Sequence, residues 1–316
     1  MKKIALEEHF LCPGVEDYWR TTVADVGPAV RQEILARLCD FGERRLAAMD
    51  EAQIERAVLS IAGPGVQAEP DAALALKRAR GANDFLAGEI QKRSDRYSGF
   101  AHLAMQDPVS AADELERCVR VLGFCGALIN GHTNGVYLDA RTYDPFWERV
   151  QDLQTLIYLH PADPVAPIPV LAGHKALTRA TWEWTFETGS HALRLVFGGV
   201  FDRFPKVRLA LGHLGETLPY LLWRFDSRAK LYGVVLPKPP SEYIRENIIV
   251  TTSGMLSKEP LRCALDALDR RHVLFATDYP FESCVEAGEF LERAPIDEET
   301  RAAICFRNAE RRFKFV

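Results

Sequence analysis

The amino-acid sequence predicts an α/β fold, a closed (β/α)8 TIM barrel that forms one domain over residues 1–316. Eight short apolar runs recur along the chain, and segments with the apolar spacing of amphipathic helices lie between them. Strands that alternate with helices in this way form parallel sheets, and eight such units can close into a barrel. An open doubly wound sheet is the alternative, but no GxGxxG or P-loop motif follows any of the runs.

The predicted strands are mostly apolar and rich in β-branched residues, which is typical of strands buried on both faces of a parallel sheet. They lie at residues 4–6, 57–61, 97–103, 126–129, 156–159, 207–211, 248–251 and 273–276. The predicted helices lie at residues 43–53, 71–94, 110–122, 143–153, 179–204, 257–269 and 297–315. Ser110 is the expected N-cap of the third helix, because a serine hydroxyl can accept hydrogen bonds from the first free backbone N–H groups.

Two segments fall outside this alternation, residues 11–42 after the first strand and the proline-rich residues 161–178 after the fifth. Each follows the carboxyl end of a strand, where the active-site loops of a (β/α)8 barrel lie. We therefore expect loop insertions at these positions, and both are candidate lids. A surface excursion without a functional role is the alternative for each of them.

The composition narrows the classes of partner. The chain is 47% hydrophobic and 26% charged with a formal net charge of −5, so nucleic acid, which attracts basic surfaces, is not an expected partner. No window approaches the roughly 18 apolar residues of a membrane helix, and the first residues lack the apolar stretch of a secretory signal. Seven dispersed cysteines without a CxxC pair indicate reduced thiols and a cytoplasmic location.

Ionisable side chains follow the carboxyl ends of several predicted strands. Glu7 and His9 stand two residues apart at the end of the first strand, so both project to one face. His160, His213 and Asp278 follow the fifth, sixth and eighth strands. Because the carboxyl ends of barrel strands meet at one mouth, we expect these five side chains to converge.

Convergence of this kind predicts a metal site. A cluster of buried carboxylates is unfavourable unless a cation compensates it, and imidazole with carboxylate ligands suits a divalent ion such as zinc, manganese or iron. Each residue alone has an ordinary interpretation, as a structural histidine or a helix N-cap, so the prediction depends on their shared position. A serine hydrolase is not supported, because the chain has no GxSxG motif and no Ser-His-Asp order.

The motifs that contain these residues resemble those of the amidohydrolase superfamily and, within it, the branch of non-oxidative aromatic acid decarboxylases. The resemblance extends over nearly the whole chain and implies a (β/α)8 barrel of the amidohydrolase type. It is carried by Ala5-Leu-Glu-Glu-His-Phe10, Met49-Asp50, Ala82-Asn-Asp84, Gln106-Asp-Pro108, Gly126-Ala-Leu-Ile-Asn130, Tyr158-Leu-His-Pro161, Glu187-Thr188, Gly212-His-Leu-Gly-Glu216, Thr277-Asp-Tyr-Pro-Phe-Glu282 and Asn308-Ala309.

The resemblance implies that Glu7, His9, His160 and Asp278 bind one divalent ion, zinc or manganese, without an organic cofactor. The first strand departs from the His-x-His pattern of the hydrolases. The fourth strand ends in Asn130, where those hydrolases have a residue that bridges two metals. Both departures favour a single metal ion.

The same resemblance implies roles in catalysis. Asp278 is implied as the proton donor, His213 and Glu216 as a pair beside the substrate, and Arg224 as the residue that faces the substrate carboxylate. Aromatic side chains near the mouth are candidates for stacking on the substrate ring, although aromatic residues at such spacing more often belong to a core. These candidates are Trp182, Trp184, Phe281 and Phe10.

The implied activity is the metal-dependent decarboxylation of a hydroxylated aromatic acid of the 2,6-dihydroxybenzoate type, with protonation of the ring before CO2 leaves. A metal-dependent hydrolase, such as a lactonase that uses a metal-activated water, is one alternative. A non-catalytic barrel with a structural ion is another. Relatives of this kind are commonly homo-oligomers, so a tetramer or a dimer is expected.

Overall fold

Eight parallel strands, paired in the order of the chain, form the centre of the computed structural model, which describes residues 1–315. Hydrogen bonds from Leu6 N to Phe275 O (3.2 Å) and from Asp278 N to Glu7 O (2.9 Å) join the region of the last strand to the first. The predicted barrel and its eight strands are therefore confirmed. The strands are β1 (Lys3–Phe10), β2 (Ile54–Ile61), β3 (Tyr97–Ala101), β4 (Gly126–Asn130), β5 (Leu156–His160), β6 (Arg208–Leu211), β7 (Ile248–Thr251) and β8 (Val273–Leu274).

Helices surround the strands and also occupy the first insertion. The helices of the first half are α1 (Glu16–Thr22), α2 (Pro28–Leu38), α3 (Glu43–Glu51), α4 (Ala72–Lys92), α5 (Pro108–Arg120) and α6 (Asp144–Leu153). Those of the second half are α7 (Glu183–Phe197), α8 (Val200–Arg203), α9 (His213–Glu216), α10 (Leu218–Leu231), α11 (Pro240–Asn247), α12 (Lys258–Leu268), α13 (Cys284–Arg293), α14 (Glu298–Ala302) and α15 (Asn308–Arg312). Six of these helices lie outside the predicted ones: α1, α2, α9, α10, α11 and α13.

Two predicted helices differ in detail from the observed ones. Asp107, not Ser110, is the N-cap of α5, and its side chain accepts hydrogen bonds from Val109 N (3.1 Å) and Ser110 N (3.3 Å). Pro108 then takes the first helical position, where its missing N–H is not needed. The helix predicted for residues 179–204 is interrupted, because Gly199 adopts a φ of 69° between α7 and α8.

Apolar side chains fill the lower half of the barrel interior. We call this buried cluster the barrel floor; strands β1 to β8 and the carboxyl-terminal segment contribute to it. It consists of Ile4, Leu6, Val58, Phe100, Leu128, Leu156, Tyr158, Ala210, Ile249, Leu274, Ala276, Ala309 and Phe313. A second and larger apolar layer lies between the strands and the surrounding helices.

Strand β1 contains a β-bulge between the floor and the mouth. From Ala5 to Glu8, β1 passes three residues where its neighbour β2 passes two. Because side chains alternate along a strand, the extra residue reverses which of them face inward. Leu6 points into the floor below the bulge, whereas Glu7 and His9 point inward above it. The side chain of Glu8 is therefore turned away from the barrel interior.

The two segments outside the predicted alternation lie at the mouth. Residues 11–42 contain α1 and α2, and residues 161–178 contain the short 3-10 turns Pro169–Leu171 and Lys175–Leu177. Within residues 1–315, no helix combines the length and the apolar character that a membrane crossing requires.

Candidate metal centre and cavity

Four of the five predicted strand-end residues bring ligand atoms together at the mouth of the barrel. Glu7 and His9 come from β1 above the bulge, His160 ends β5, and Asp278 lies in the turn after β8. The four ligand atoms lie within 4.8 Å of one another. His9 Nε2 is 3.3 Å from Asp278 Oδ1, and His160 Nε2 is 3.5 Å from Glu7 Oε1. In the described chain, residues 1–315, these four side chains form the group with the geometry of a metal site.

Hydroxyl groups fix the orientation of Glu7. Its Oε2 atom accepts hydrogen bonds from the hydroxyls of Tyr158 and Ser253, and from Thr251 Oγ1 at 3.4 Å. Gly212 makes room for the carboxylate, because a Cβ atom at this position would lie 2.8 Å from Oε2. Since one oxygen is held in this way, Oε1 is left to face the other ligand atoms.

Hydrogen bonds at Nδ1 orient the two histidines. His9 Nδ1 is 3.2 Å from Ser60 Oγ, and His160 Nδ1 donates to the carbonyl oxygen of Pro161 at 2.9 Å. A histidine that donates from Nδ1 keeps a lone pair on Nε2. In both residues Nε2 is the atom that faces the cluster, so each ring presents a metal-binding nitrogen.

Two buried polar atoms of the cluster, Glu7 Oε1 and His9 Nε2, have no hydrogen-bond partner among residues 1–315. Buried polar groups are nearly always satisfied, and an unpaired one costs about 1–3 kcal/mol. A divalent cation bound by Glu7, His9, His160 and Asp278 would satisfy both atoms. Two imidazoles and two carboxylates therefore fit a zinc or a manganese ion.

His213 and Glu216 form a hydrogen-bonded pair beside the ligand group. They lie in the short α9 turn, where His213 Nδ1 is 2.5 Å from Glu216 Oε1. Burial disfavours the imidazolium, but the charges of Glu216, Glu7 and Asp278 outweigh it and raise the pKa of His213 to about 10. His213 is thus a cation next to the ligand group and is not a member of it.

The carboxyl groups of Glu7 and Asp278 differ in charge. Burial acts to raise the pKa of Glu7, but the positive charge of His213 and the other histidines holds that pKa below its ordinary value. Burial and the adjacent Glu7 charge raise the pKa of Asp278 to about 8. The opposite directions of these two shifts favour negative charge on Glu7 over negative charge on Asp278 when no cation is bound.

A cavity of about 750 Å³ opens above the cluster. His160, His213, Glu216 and Asp278 form part of its lining. Phe281 also lines it, with its ring centroid 5.7 Å from that of His9. A cavity of this size can enclose a substituted benzene ring, and its aromatic wall suits a flat one.

The two insertions supply much of the cavity wall and contact each other across it. Arg179 donates to the carbonyl oxygens of Thr22 and Thr21, the latter at 3.4 Å, and Lys175 Nζ bonds Asp25 Oδ1 at 2.7 Å. All five residues line the cavity. This arrangement places both segments where a lid would act.

Three of the predicted substrate contacts do not lie in the cavity. Trp182 is 47% exposed and lies outside the lining, whereas Trp184 belongs to it. Arg224 is exposed on α10 and does not line the cavity of its own chain. Phe10 is buried in the outer layer, with its ring 5.4 Å from that of Phe41, so the expectation that it lies near the mouth is wrong.

Two further buried histidines, His102 and His191, have structural contacts. The strand predicted at residues 97–103 included His102, but β3 ends at Ala101; His102 Nε2 accepts a hydrogen bond from Val66 N at 2.8 Å. His191 Nε2 accepts from Leu138 N at 2.9 Å. Burial lowers the pKa of His102 to about 4 and that of His191 to about 3, so both are neutral.

Sequence reasoning missed a polar section of the cavity wall and the hydroxyls around Glu7. Gln67, Asn130 and His132 line the cavity, and Gln67 Oε1 accepts a hydrogen bond from Asn130 N at 2.6 Å. Tyr158 could have been found from the sequence, because it stands two residues before His160 and so faces the same side of β5. Ser253 lies beyond the end of its strand, where no such periodicity applies.

Comparison with known proteins finds relatives over the whole chain. A family model described as amidohydrolase matches residues 29–315. The γ-resorcylate decarboxylase of Polaromonas sp. (strain JS666) is 42% identical over 324 residues, which cover 99% of this chain and 98% of the relative. A crystal structure of a dihydroxybenzoic acid decarboxylase from Polaromonas sp. JS666, with bound manganese and the inhibitor 2-nitroresorcinol, has a TM-score of 0.93 and 41% identity over 99% of this chain and 96% of that chain. A crystal structure of a 2,6-dihydroxybenzoate decarboxylase complexed with 2,6-dihydroxybenzoate has a TM-score of 0.93 and 40% identity over 99% of both chains.

Proposed function

The chain belongs to the amidohydrolase family, and we propose that it is a metal-dependent, non-oxidative decarboxylase of a hydroxylated aromatic acid. The observation that carries the proposal is the four-residue ligand group at the base of a cavity with room for one substituted ring. The full-length similarity to decarboxylases, at 42% identity for the Polaromonas enzyme, supports the same reaction.

Glu7, His9, His160 and Asp278 would hold one divalent ion, and we propose manganese because the Polaromonas structure contains it. When bound, the ion supplies Lewis acidity that favours the phenolate of a hydroxyl group ortho to the substrate carboxylate. A single ion is supported by Asn130, whose neutral amide stands at the end of β4 in place of a bridging ligand.

Asp278 is proposed to deliver the proton. Its Oδ1 atom faces His9. Its Oδ2 atom and His213 Nε2 both lie beside Gly254, since a Cβ atom added to this glycine would be 3.8 Å from Oδ2 and 3.5 Å from Nε2. The ring carbon that carries the carboxylate takes the proton from Asp278, and the ring loses its aromaticity. The bond to the carboxylate then breaks, its electron pair restores the aromatic ring, and CO2 leaves. Protonation before bond cleavage avoids an aryl carbanion.

The His213–Glu216 pair is proposed to assist proton transfer from beside Asp278 at the base of the cavity. Glu216 holds Nδ1 of His213, so Nε2 is directed to the Gly254 side, where Asp278 Oδ2 also lies. In this position His213 can bind a phenolic oxygen of the substrate or return a proton to Asp278. Phe281 borders the same space and is proposed to stack on the ring.

The substrate is proposed to be 2,6-dihydroxybenzoate or a close analogue. Manganese-reconstituted enzyme is incubated with benzoate, salicylate and the 2,3-, 2,4- and 2,6-dihydroxybenzoates, and CO2 and phenol products are quantified. We expect CO2 from 2,6-dihydroxybenzoate and none from benzoate, which has no ortho hydroxyl. A set of lactones tests the hydrolase alternative: ring opening without CO2 release from any hydroxybenzoate would contradict the proposal.

A homo-oligomer, tetramer or dimer, is also proposed. Helix α10 and the residues after it expose large apolar side chains, among them Tyr220 (82% exposed), Trp223 (77%) and Val235 (93%). Exposed apolar surface of this kind marks association sites, and the proposed occupant is a second copy of the chain. Sedimentation should show that Trp223→Glu lowers the mass of the assembly, whereas Val121→Glu, at another exposed valine, leaves it unchanged. A monomeric wild-type protein would contradict this proposal.

Arg224 lies on the same helix as Tyr220 and Trp223. Because Arg224 does not line the cavity of its own chain, its proposed contact with a substrate carboxylate requires the cavity of a second copy. The contact is tested by Arg224→Lys, which replaces a bidentate fork by a point charge and should mainly raise KM. An unchanged KM would place Arg224 away from the carboxylate.

The proposed location is the cytoplasm. All seven cysteines are unpaired, as expected in a reducing compartment. Neither nucleic acid nor a membrane is a proposed partner of a chain with a net charge of −5.

A further inference from the structure

Glu8 is a buried carboxyl group between two proposed metal ligands, yet it points away from the metal centre. It is 3% exposed and follows the bulge in β1, which turns its side chain toward the layer between the barrel and the helices. Burial of a carboxyl group is unfavourable unless hydrogen bonds compensate it. The partners of Glu8 therefore indicate what the group is for.

Both oxygens of Glu8 bind the residue that precedes Asp278. Thr277 N donates to Glu8 Oε1 at 2.9 Å, and Thr277 Oγ1 donates to Glu8 Oε2 at 2.6 Å. The same Thr277 hydroxyl accepts a hydrogen bond from Tyr279 N at 3.2 Å. Glu8 thus holds the residues on either side of Asp278.

Asp278 needs such support because its backbone is strained. Its φ of 72° lies in the left-handed region, which costs a non-glycine residue roughly 1–2 kcal/mol. This conformation directs the side chain to the metal centre while the backbone N–H of Asp278 bonds Glu7 O at 2.9 Å. Local strain of this kind persists only where the surroundings fix it.

Arg45 holds the other side of the same arrangement. It is 1% exposed, its Nη2 donates to the carbonyl oxygen of His9 at 2.6 Å, and its guanidinium lies 4.7 Å from the centroid of the Tyr279 ring. Arg45 therefore contacts the backbone of one proposed ligand and the neighbour of another. Its positive charge also complements the carboxyl group of Glu8.

Closure of the barrel alone does not explain Glu8. Backbone hydrogen bonds from Leu6 N to Phe275 O, from Asp278 N to Glu7 O and from His9 N to Tyr279 O already join β1 to the last strand region. The two bonds of the Glu8 side chain join the same two regions, but both go to Thr277, the residue directly before Asp278. What the Glu8 side chain adds is a fixed conformation of the Asp278 turn.

We propose that Glu8 is a positioning residue that acts through Thr277 to hold Asp278 at the geometry that binds the metal and reaches the substrate. Groups that orient metal ligands typically change metal affinity or activity by about 10–100-fold when removed. The inference rests on the proposed function for its kinetic readout only; metal binding can be measured whatever the substrate is.

The test compares Glu8→Ala, Glu8→Gln, Thr277→Val and Thr277→Ser. The dissociation constant of Mn²⁺ is measured for each variant by titration with EPR detection. The values of kcat and KM are then measured at saturating Mn²⁺. We expect Glu8→Ala and Thr277→Val to weaken Mn²⁺ binding by about 10–100-fold and to lower kcat with little change in KM. Glu8→Gln and Thr277→Ser should retain most of the Mn²⁺ affinity and of kcat. In Glu8→Gln the amide oxygen can accept from Thr277 N while its NH2 group donates to Thr277 Oγ1, and in Thr277→Ser the hydroxyl is kept.

Glu114→Ala is the matched control. Glu114 is also a buried carboxylate, 3% exposed, but its partners, Asn83 at 2.9 Å and Arg117 at 2.7 Å, lie on α4 and α5 and are not neighbours of a proposed metal ligand in the chain. The Glu114→Ala variant should be less stable than the wild type but should have the same Mn²⁺ affinity. If Glu8→Ala does not fold, Thr277→Val decides, since it keeps the side-chain volume. Wild-type Mn²⁺ affinity and kcat in a folded Glu8→Ala or Thr277→Val protein would overturn the proposal. Weakened Mn²⁺ binding without decarboxylation of any substrate would support it and contradict only the proposed function.

Discussion

The lower and upper halves of the barrel interior are built in opposite ways. In the floor, aromatic rings and aliphatic side chains fill the space: the Phe100 ring centroid lies 6.0 Å from that of Tyr158 and 6.3 Å from that of Phe313. At the mouth, within a few residues along the same strands, Glu7 Oε1 and His9 Nε2 are buried without a partner among residues 1–315. The floor stabilises the fold, whereas the metal centre keeps polar groups ready for a ligand at a cost to stability.

Residues that determine stability and residues proposed to determine activity therefore lie at different levels along the axis of one barrel. Strand β1 supplies Leu6 to the floor and Glu7 to the metal centre as successive residues. Substitutions at the mouth should therefore change activity more than stability, and substitutions in the floor should do the reverse. Three experiments test how complete this separation is.

The largest expected effect is a loss of kcat/KM on substitution of residues at the mouth. Asp278→Asn and His160→Ala should each lower kcat/KM by roughly 10³-fold or more, because each removes a metal ligand and Asp278 also supplies the proton. The free energy of unfolding of the metal-free variants should stay within about 1 kcal/mol of the wild type or rise, since Asp278→Asn removes an acidic group beside Glu7 and His160→Ala removes a buried imidazole. Steady-state kinetics and urea unfolding measure the two quantities.

His174→Ala is the control for the first experiment, since His174 is an exposed histidine of the second insertion outside the cavity lining. It should leave kcat/KM unchanged. Full activity of Asp278→Asn would remove Asp278 as both ligand and acid.

The next effect is expected in the floor. Phe313→Ala should lower the free energy of unfolding by about 3–5 kcal/mol, because a buried aromatic ring is replaced by a cavity. The folded variant should keep a near-normal kcat/KM. Phe197→Ala, at a half-exposed ring on α7, should cost less than about 0.5 kcal/mol. A fall in kcat/KM as large as that of the ligand variants would show that the two halves are coupled.

The smallest effect concerns Tyr158, the side chain that connects the two halves. Its ring packs in the floor, and its hydroxyl donates to Glu7 Oε2. Tyr158→Phe keeps the packing and removes the donor, so Mn²⁺ affinity should fall by about 10-fold while stability changes by about 1 kcal/mol or less. Tyr97→Phe is the control. Tyr97 is also buried, but its hydroxyl donates to the carbonyl oxygen of Phe41, so this variant should keep the wild-type Mn²⁺ affinity. Equal Mn²⁺ affinities for the two variants would show that the Tyr158 hydroxyl does not contribute to metal binding.

The strands were predictable because their burial on both faces leaves apolar runs that stand out in the sequence. The five ionisable residues were predictable as a group because each follows such a run. Of the helices that were missed, α2 has no apolar face that a sequence pattern could reveal. Helix α10 exposes Tyr220 and Trp223, so its apolar residues are not confined to the face that packs on the barrel.

The direction in which Glu7 and His9 point could not be predicted. Their spacing places them on one face of β1, but counting from the inward-facing Ile4 and Leu6 would turn both outward. The bulge reverses this, and its presence is visible only in the register between β1 and β2. The role proposed for Glu8 was hidden for the same reason.

The bulge also determines which sequence changes this fold can tolerate. Deletion of Glu7, the residue between Leu6 and Glu8, would leave the floor and the outer helices able to pack and would restore regular alternation in β1. His9 would still face inward, but the metal centre would lack a carboxylate ligand, and the resulting protein would be a stable barrel without its chemistry. Length variation is therefore tolerated in the insertions over the cavity but not in this strand, and a redesign that idealises β1 would remove the site it was meant to present.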